Sequence, residues 1–418
     1  MPEEKLLQPV APPERLASLD VLRGFAVLGI LLVNIQDFSM VFAAYLNPTA
    51  FGDLTGLNRW AWMLTHVLGD QKFMTIFSLL FGAGILLVTS KAESKGLPPA
   101  GLHYRRIFWL FVIGLMHAYL LWRGDILVAY AVCAVWVYLF RKKKPKTLLI
   151  AGAVFILVPT ILYLIFSWSV PYWPPEAVES NLQMWAPPAE RIAQEVAVYR
   201  GGWLQQMGHR VPSAIAFQTF IFLIYIGWRV TGVMLIGMAL FKWRVLSAER
   251  SGRFYRIMLA AGFGIGIPLI VTGVVRNFAA GWAWPYSMFI GWQFNYLGSL
   301  GMAAGYIALV MLLCRSARLP ALRERLAAVG RMAFTNYLLQ SLICTTLFYG
   351  HGFGLFGKVQ RWQQVLITVA IWTTLLVVSP LWLRRFRFGP VEWLWRTLTY
   401  RKAQPMRMPR TAQVIPDV

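Results

Sequence analysis

The chain is predicted to be an all-α polytopic membrane protein of about ten transmembrane helices with both termini cytoplasmic. Three observations lead there. First, 58% of its 418 residues are hydrophobic and only 14% are charged, with a mean hydropathy of +0.56; a soluble domain carries about 25% charged residues. Second, apolar runs of roughly 20 residues, enough for a helix to cross the hydrocarbon core, recur from end to end. Third, most of the 40 Lys and Arg fall in alternate loops. A net charge of +23 would suit a nucleic-acid partner, but this placement is the positive-inside pattern of a bilayer protein and excludes that class.

The runs lie at about 20–43, 64–89, 106–122, 125–140, 147–169, 213–241, 255–275, 291–314, 332–349 and 363–384, taking ~20 residues per crossing. Residues 1–17 form a polar, Pro-containing cytoplasmic tail with no cleaved signal peptide. Residues 18–384 form one transmembrane helical domain, and 385–418 a basic cytoplasmic tail suited to an anionic inner leaflet. The cytoplasmic loops then carry Lys91, Lys95, Arg105 and Arg106, then Arg141 to Lys146, Lys242 to Arg256, and Arg315 to Arg331.

The first span opens with Ser18-Leu-Asp-Val-Leu-Arg-Gly24. At helical spacing Asp20, Arg23, Asn34 and Asp37 share one side, which must face other helices rather than lipid. Asp20 and Arg23, three apart, are expected to form a structural ion pair; Asn34 and Asp37, nearer the outer side, are expected to line a substrate cavity. Before the second span, Trp60 and Trp62 are candidate interface anchors. His66 and Asp70 share a helical face, and a solvated hydrogen bond is the favoured reading over a proton relay. Gly82 and Gly84 suit close helix contact.

The densest gathering of ionisable groups is Gly114-Leu-Met-His-Ala-Tyr-Leu-Leu-Trp-Arg-Gly-Asp-Ile-Leu-Val-Ala-Tyr130, a helix end, a tight turn and a helix start. Ionisable side chains at membrane depth cost several kcal/mol and commonly mark function. His117 is the best candidate for proton transfer, since imidazole titrates near neutral pH. Asp125, eight residues on, is expected to approach it and orient the ring. Arg123 is a further substrate-binding candidate. On a purely structural reading, Arg123 and Asp125 bridge the turn and His117 bonds a neighbouring helix. Tyr119 and Trp122 suit the lipid–water interface.

Residues 170–212 make the one long loop, placed outside by topology. Its five prolines disfavour a continuous helix, but Ile192, Val196, Tyr199, Trp203 and Met207 mark an amphipathic helix over Ala189 to Met207 that covers the outer surface or closes a cavity. In the sixth span Gln218, Tyr225 and Arg229 share a face, and Arg229 lies deep. It can hold an anionic substrate group or neutralise an acid on another helix. Gly262, Gly264 and Gly266 suit helix packing, not a dinucleotide fingerprint. The eighth and ninth spans carry polar residues, with Asn336, Gln340 and Cys344 on one face, whose ordinary use is interhelical hydrogen bonding. His351 lies in a Gly-rich turn. Cys133, Cys314 and Cys344 all fall in apolar spans and read as small core residues. No metal-ligand spacing, P-loop, internal repeat or Ser-His-Asp signature is visible, and no bound cofactor or metal is expected.

Four stretches, Ser18 to Gly24, Lys72-Phe through Phe81-Gly-Ala-Gly84, the Trp-Arg-Gly-Asp-Ile-Leu-Val-Ala-Tyr turn, and Gly330-Arg-Met-Ala-Phe-Thr-Asn-Tyr337, together resemble the YeiB-like integral membrane proteins, whose C-terminal part is called domain of unknown function 418. That family has been associated with transport. The opening Leu-Asp-x-Leu-Arg-Gly is also similar to that of transmembrane acyltransferases such as heparan-α-glucosaminide N-acetyltransferase and the acyltransferase-3 proteins. This second resemblance implies a multi-pass protein of the bacterial inner membrane that moves an acyl group from cytoplasmic acyl-CoA, a co-substrate, to a small-molecule or glycan acceptor beyond the bilayer. A membrane histidine takes part, for which His117 is the candidate by position and chemistry. The alternative is a transporter for a small polar or anionic solute, using the same buried groups.

Overall fold

The chain is built almost entirely of helices, because in lipid every backbone polar group must find its partner within its own segment. The computed structural model describes residues 16–408; the N-terminal tail lies almost wholly outside that range, as do the last ten residues of the basic tail. Helix α1 (Ala17–Ser39) is followed by the short α2 (Phe42–Leu46), by α3 (Gly56–Leu68) and by α4 (Lys72–Ser94). Next come α5 (Pro99–Leu120), α6 (Leu127–Val137) and α7 (Pro145–Ser169), then α8 (Pro175–Trp185), α9 (Ala189–Arg200) and α10 (Trp203–Ala216). A π-helical stretch joins α10 to α11 (Gly227–Lys242); α12 (Gly252–Ala279), α13 (Trp292–Arg315), α14 (Pro320–Arg331), α15 (Ala333–Phe348), α16 (Arg361–Arg385) and α17 (Pro390–Tyr400) complete the chain. No strand occurs among the described residues beyond an isolated bridge between Phe386 and Arg407.

Seven helical stretches among the described residues are long and apolar enough to cross a membrane: Ala17–Ser39, Gly56–Ser94, Pro145–Tyr172, Trp203–Lys242, Gly252–Ala279, Ser287–Arg315 and Arg361–Arg385. The other three predicted spans are the polar-interrupted α5, the shorter Leu127–Phe140, and the 16-residue α15. Much of the surface of α6 and α15 faces protein, including Tyr130, Asn336, Tyr337, Gln340 and Ser341, so neither helix needs a full-length apolar surface for lipid.

Several boundaries also differ from expectation. The sixth span begins at Trp203, ten residues early, and is continuous to Lys242. The amphipathic helix expected over Ala189 to Met207 breaks at Gly201 and Gly202, giving α9 and α10. The basic tail begins with a further helix. Its α17 docks against the bundle, where the Glu392 carboxylate accepts the Phe334 and Thr335 backbone N–H groups and the Thr335 hydroxyl at the start of α15. Burial pushes the Glu392 carboxyl up from its ordinary value, although these donors oppose the shift.

Glycines set the closest crossings. A Cβ on Gly24 of α1 would lie 1.9 Å from the Leu326 carbonyl of α14, and one on Gly330 would lie 1.8 Å from the Asp20 carbonyl. Gly82 meets the Met234 carbonyl across α4 and α11 in the same way, whereas a Cβ on Gly84 meets nothing within 4 Å. Gly262 and Gly266 fit against Gly301, Gly305 and Met302 where α12 lies on α13, and Gly264 faces open space. Cys133 and Cys344 are buried and Cys314 half-buried, all three as free thiols.

Candidate active site

The turn between α5 and α6 is built by side chains reaching in from three other helices. The carbonyl of His117 accepts the N–H groups of both Leu121 and Trp122, which winds the last turn of α5 tight. Gly124 then permits the reversal; a Cβ there would strike the Trp122 ring at 2.3 Å. Asp125 has two tasks. Its Oδ1 accepts the Val128 N–H, satisfying one of the free amides in the first turn of α6. Its Oδ2 lies 2.7 Å from His117 Nδ1. A carboxylate anchored by one oxygen in this way holds the imidazole with the other.

On the far side of the ring, His117 Nε2 lies 2.8 Å from the Ser341 hydroxyl of α15. His117, Asp125 and Ser341 are 3%, 1% and 1% exposed. An ionised carboxylate only accepts, so Nδ1 carries the proton toward Asp125, and in the neutral ring Nε2 accepts from Ser341. Ser341, His117 and Asp125 therefore form the linear arrangement found in nucleophilic triads. The chain order His, Asp, Ser and the separation of Ser341 from the turn hid it in the sequence. Tyr337, one turn before Ser341, packs on the His117 ring with centroids 5.1 Å apart.

Arg123 does not bridge to Asp125. Its Nη2 donates to Asp37 Oδ1 at 2.7 Å, and its guanidinium lies over the Phe42 ring at 4.6 Å. Trp122, expected at the lipid interface, is instead buried; its indole N–H donates to Asp37 Oδ2 at 2.8 Å and its ring stacks on Phe38. Asp37 and Arg123 thus sit beside the turn as a pinned pair, and Trp122 ties that pair to the His117 region. Asn34, one turn earlier on α1, is half-buried and bonds to no other side chain among the described residues. Tyr119 donates to Gln218.

Arg229 lies elsewhere. Fully buried, it donates to the Tyr296 carbonyl and to the hydroxyls of Thr75 and Ser299, over the Tyr296 ring. Among the described residues it makes no ion pair with an acidic side chain, so these neutral acceptors, rather than an acid on another helix, hold its guanidinium. Beside it stands a residue to which the sequence assigned no role, Lys72. Its ammonium donates to the His66 carbonyl at 2.7 Å and to Asn295 Oδ1 at 2.6 Å, and Asn295 passes a hydrogen bond on to Asp70. His66 Nδ1 is 3.3 Å from Asp70 Oδ2. Asp20 and Arg23 pair at 2.9 Å as expected from their spacing.

Among the described residues, a cavity of about 300 Å³ lies at the basic end of the bundle. Its mouth carries Asp20, Arg23, Arg331, Arg387 and Arg396, with Arg106 and Glu392 nearby. Its interior is apolar, with Phe77, Leu80, Phe81, Ile85 and Leu110, and it ends at Ile126, Leu127 and Tyr337. Those end residues flank Asp125 in the chain or touch the His117 ring. The cavity thus leads from a cluster of arginines to the immediate surroundings of the triad. Among the described residues, no three His, Cys, Asp or Glu side chains gather as a metal site.

Comparison with known proteins places related chains beside this one. The family profile described as "Protein of unknown function (DUF418)" matches residues 240–402. The chain is 35% identical over 421 residues to the uncharacterized protein YxaH of Bacillus subtilis (strain 168), covering 96% of this chain and 98% of that one. It is 34% identical over 396 residues to the uncharacterized protein YeiB of Escherichia coli (strain K12), covering 94% of this chain and 98% of the relative. An uncharacterized 39.9 kDa protein in the amylase 3' region of Bacillus acidopullulyticus is 28% identical over 412 residues.

Proposed function

This chain belongs to the YeiB-like DUF418 family of helical membrane proteins, and from that premise we propose that it is an acyltransferase of the bacterial inner membrane, taking its acyl group from acyl-CoA in the cytoplasm. The observation that carries the reading is the cavity. Arginines at its mouth suit a polyanionic head such as the phosphates of CoA. The apolar interior suits a pantetheine arm and acyl chain, and Tyr337, which lines it, packs on the His117 ring. A volume near 300 Å³ is that of a small-ligand site.

In this reading the bundle crosses the bilayer ten times. The basic end, where the cavity opens, faces the cytoplasm by the positive-inside rule. His117 acts as the base, and Asp125 fixes its tautomer and supports the charge it gains. The acceptor, a small molecule or a glycan, approaches from the opposite end past Asn34, Asp37 and Arg123. Asp20 and Arg23 shape the donor mouth as a structural pair.

Gly84 supplies the test. It lines the cavity and has open space where a side chain would grow. In purified protein reconstituted into nanodiscs, Gly84→Leu should preserve folding and weaken binding of acetyl-, succinyl- or palmitoyl-CoA by about tenfold or more. Undiminished binding, or no binding of any acyl-CoA by the wild type, would refute the donor assignment. A transporter is the second reading. It is favoured by the chain of hydrogen bonds from Lys72 through Asn295 to Asp70 and by the buried Arg229, since ionisable groups at membrane depth also serve solute and proton pathways. Proteoliposomes that accumulate an anionic solute without releasing CoA thiol would favour it.

A further inference from the structure

We infer that Ser341 is the nucleophile of this protein, carrying the acyl group as an oxygen ester between donor and acceptor; this rests on the group-transfer reading above. The geometry of His117 points to it. Nδ1 is committed to Asp125 at 2.7 Å, so the one lone pair left to the neutral ring is on Nε2, and Ser341 Oγ occupies it at 2.8 Å. The alternative acceptor for the Ser341 hydroxyl, the Tyr337 carbonyl one turn back, is at 3.4 Å. The shorter contact decides that the hydroxyl proton points at the ring. As arranged, the proton His117 can take is the one on Ser341.

A second, independent observation lies at the end of the cavity. Tyr337 lines it and is 7% exposed; the Ile126 backbone sits against its hydroxyl oxygen, and the hydroxyl proton has no acceptor. A buried hydroxyl proton left without an acceptor loses its hydration without recompense. A carbonyl oxygen entering from the cavity would accept that proton. Tyr337 and Ser341 are four residues apart on one face of α15, which sets their Cβ atoms about 6 Å apart and turns both side chains to the same side.

The reaction follows in two balanced steps with an acyl thioester as co-reactant. Ser341 Oγ attacks the thioester carbonyl carbon while its proton passes to His117 Nε2. The C–O bond forms, the C–S bond breaks, and the departing thiolate takes the proton from Nε2 and leaves as thiol. An acceptor hydroxyl or amine then gives its proton to Nε2 and attacks the ester carbonyl. The Ser341 C–O bond breaks, and Oγ recovers the proton. Tyr337 donates to the carbonyl oxygen as it gains negative charge in each step.

The full chain in nanodiscs, incubated with radiolabelled acetyl-, succinyl- and palmitoyl-CoA, tests this by thiol release and by mass-spectrometric location of the label. The wild type should release thiol and carry the label at Ser341 as a hydroxylamine-sensitive ester. Ser341→Ala should lose both by about 100-fold or more. Ser341→Cys should restore a label, now as a thioester, which shows that the site still folds. Tyr337→Phe should slow labelling by roughly 100-fold. Thiol release in the wild type with the label on another residue, or undiminished in Ser341→Ala, overturns Ser341 as nucleophile and leaves group transfer standing. A wild type that neither releases thiol nor takes label overturns both.

Discussion

Replacing Gly330 by Ala asks one methyl group to occupy space already filled by another helix. Its Cβ would lie 1.8 Å from the Asp20 carbonyl oxygen and 2.8 Å from the Gly24 amide nitrogen, where ordinary contact begins near 3.4 Å. The obstructing atoms are backbone, so no side chain can swing aside, and α1 and α14 must part by roughly 1.5 Å. Overpacking of this kind costs about 1–3 kcal/mol, with the upper end expected where backbone must move. Gly24→Ala makes the same demand from the other helix, its Cβ lying 1.9 Å from the Leu326 carbonyl. Once the helices have separated for one methyl, the second fits at little further cost, so the double variant should fall well short of the sum. Gly84→Ala and Gly264→Ala, with nothing within 4 Å, should stay within about 0.5 kcal/mol of wild type. Thermal unfolding of the detergent-solubilised protein, followed by fluorescence-detected size exclusion, measures all five. A Gly330→Ala variant as stable as Gly84→Ala would refute the close crossing. Asp20, Arg23, Gly330 and Arg331 all line the cavity mouth, so the destabilised variants should also bind acyl-CoA more weakly.

Asp125→Asn presents an amide to His117 Nδ1, which drives the ring to the other tautomer and turns Nε2 into a donor; acyl transfer should fall about 100-fold or more with unfolding temperature nearly unchanged, and full activity would remove Asp125 from the machinery. His117→Gln should act likewise, and a folded variant as active as wild type would eliminate His117 as the base. For Asp20 and Arg23, each single neutral variant should yield less folded protein than the double, since one charge is left without its partner; additive losses would show that the 2.9 Å pair carries no coupling. Glu392 titrates above its ordinary 4.5 because it is buried, so the folded state binds its proton more tightly than the unfolded chain. That contribution is complete below about 4.5 and is lost as pH rises through the folded pKa. Glu392→Gln should flatten the fall in unfolding temperature over that window, and an unchanged pH profile would show that the residue does not titrate there.

Composition, the length of the apolar runs and the placement of Lys and Arg made a helical membrane protein legible without any structure, because bilayer thickness and backbone hydrogen bonding act on each segment independently of its neighbours. Local spacing was equally informative within one helix or one turn. Asp20 meets Arg23 because three residues separate them, and His117 meets Asp125 because a Gly-containing turn folds one helix end onto the next start. Seven of the ten expected spans are helices long and apolar enough to cross a membrane; α6 and α15 are shorter and bury much of their surface against protein, which hydropathy along a line does not register.

Partners distant in sequence were decided by tertiary structure alone. Arg123 was free to bridge to Asp125, two residues away, but the approach of α1 offered Asp37, and Asp125 was already committed to Val128 and His117. Arg229 looked like a binding residue because a deep arginine is costly; Thr75, Ser299 and the Tyr296 carbonyl, all from other helices, absorb it. Ser341 shows the division most clearly. A serine within an apolar helix ordinarily bonds to its own backbone, and nothing in its neighbourhood along the chain distinguishes it. Only the docking of α15 against α5 brings its hydroxyl to His117, 224 residues away. Periodicity and charge determine which elements form and which faces are buried, since those depend on distances of a few residues. The docking of helix on helix, set by glycine crossings such as Gly24 on Gly330, determines which buried groups meet.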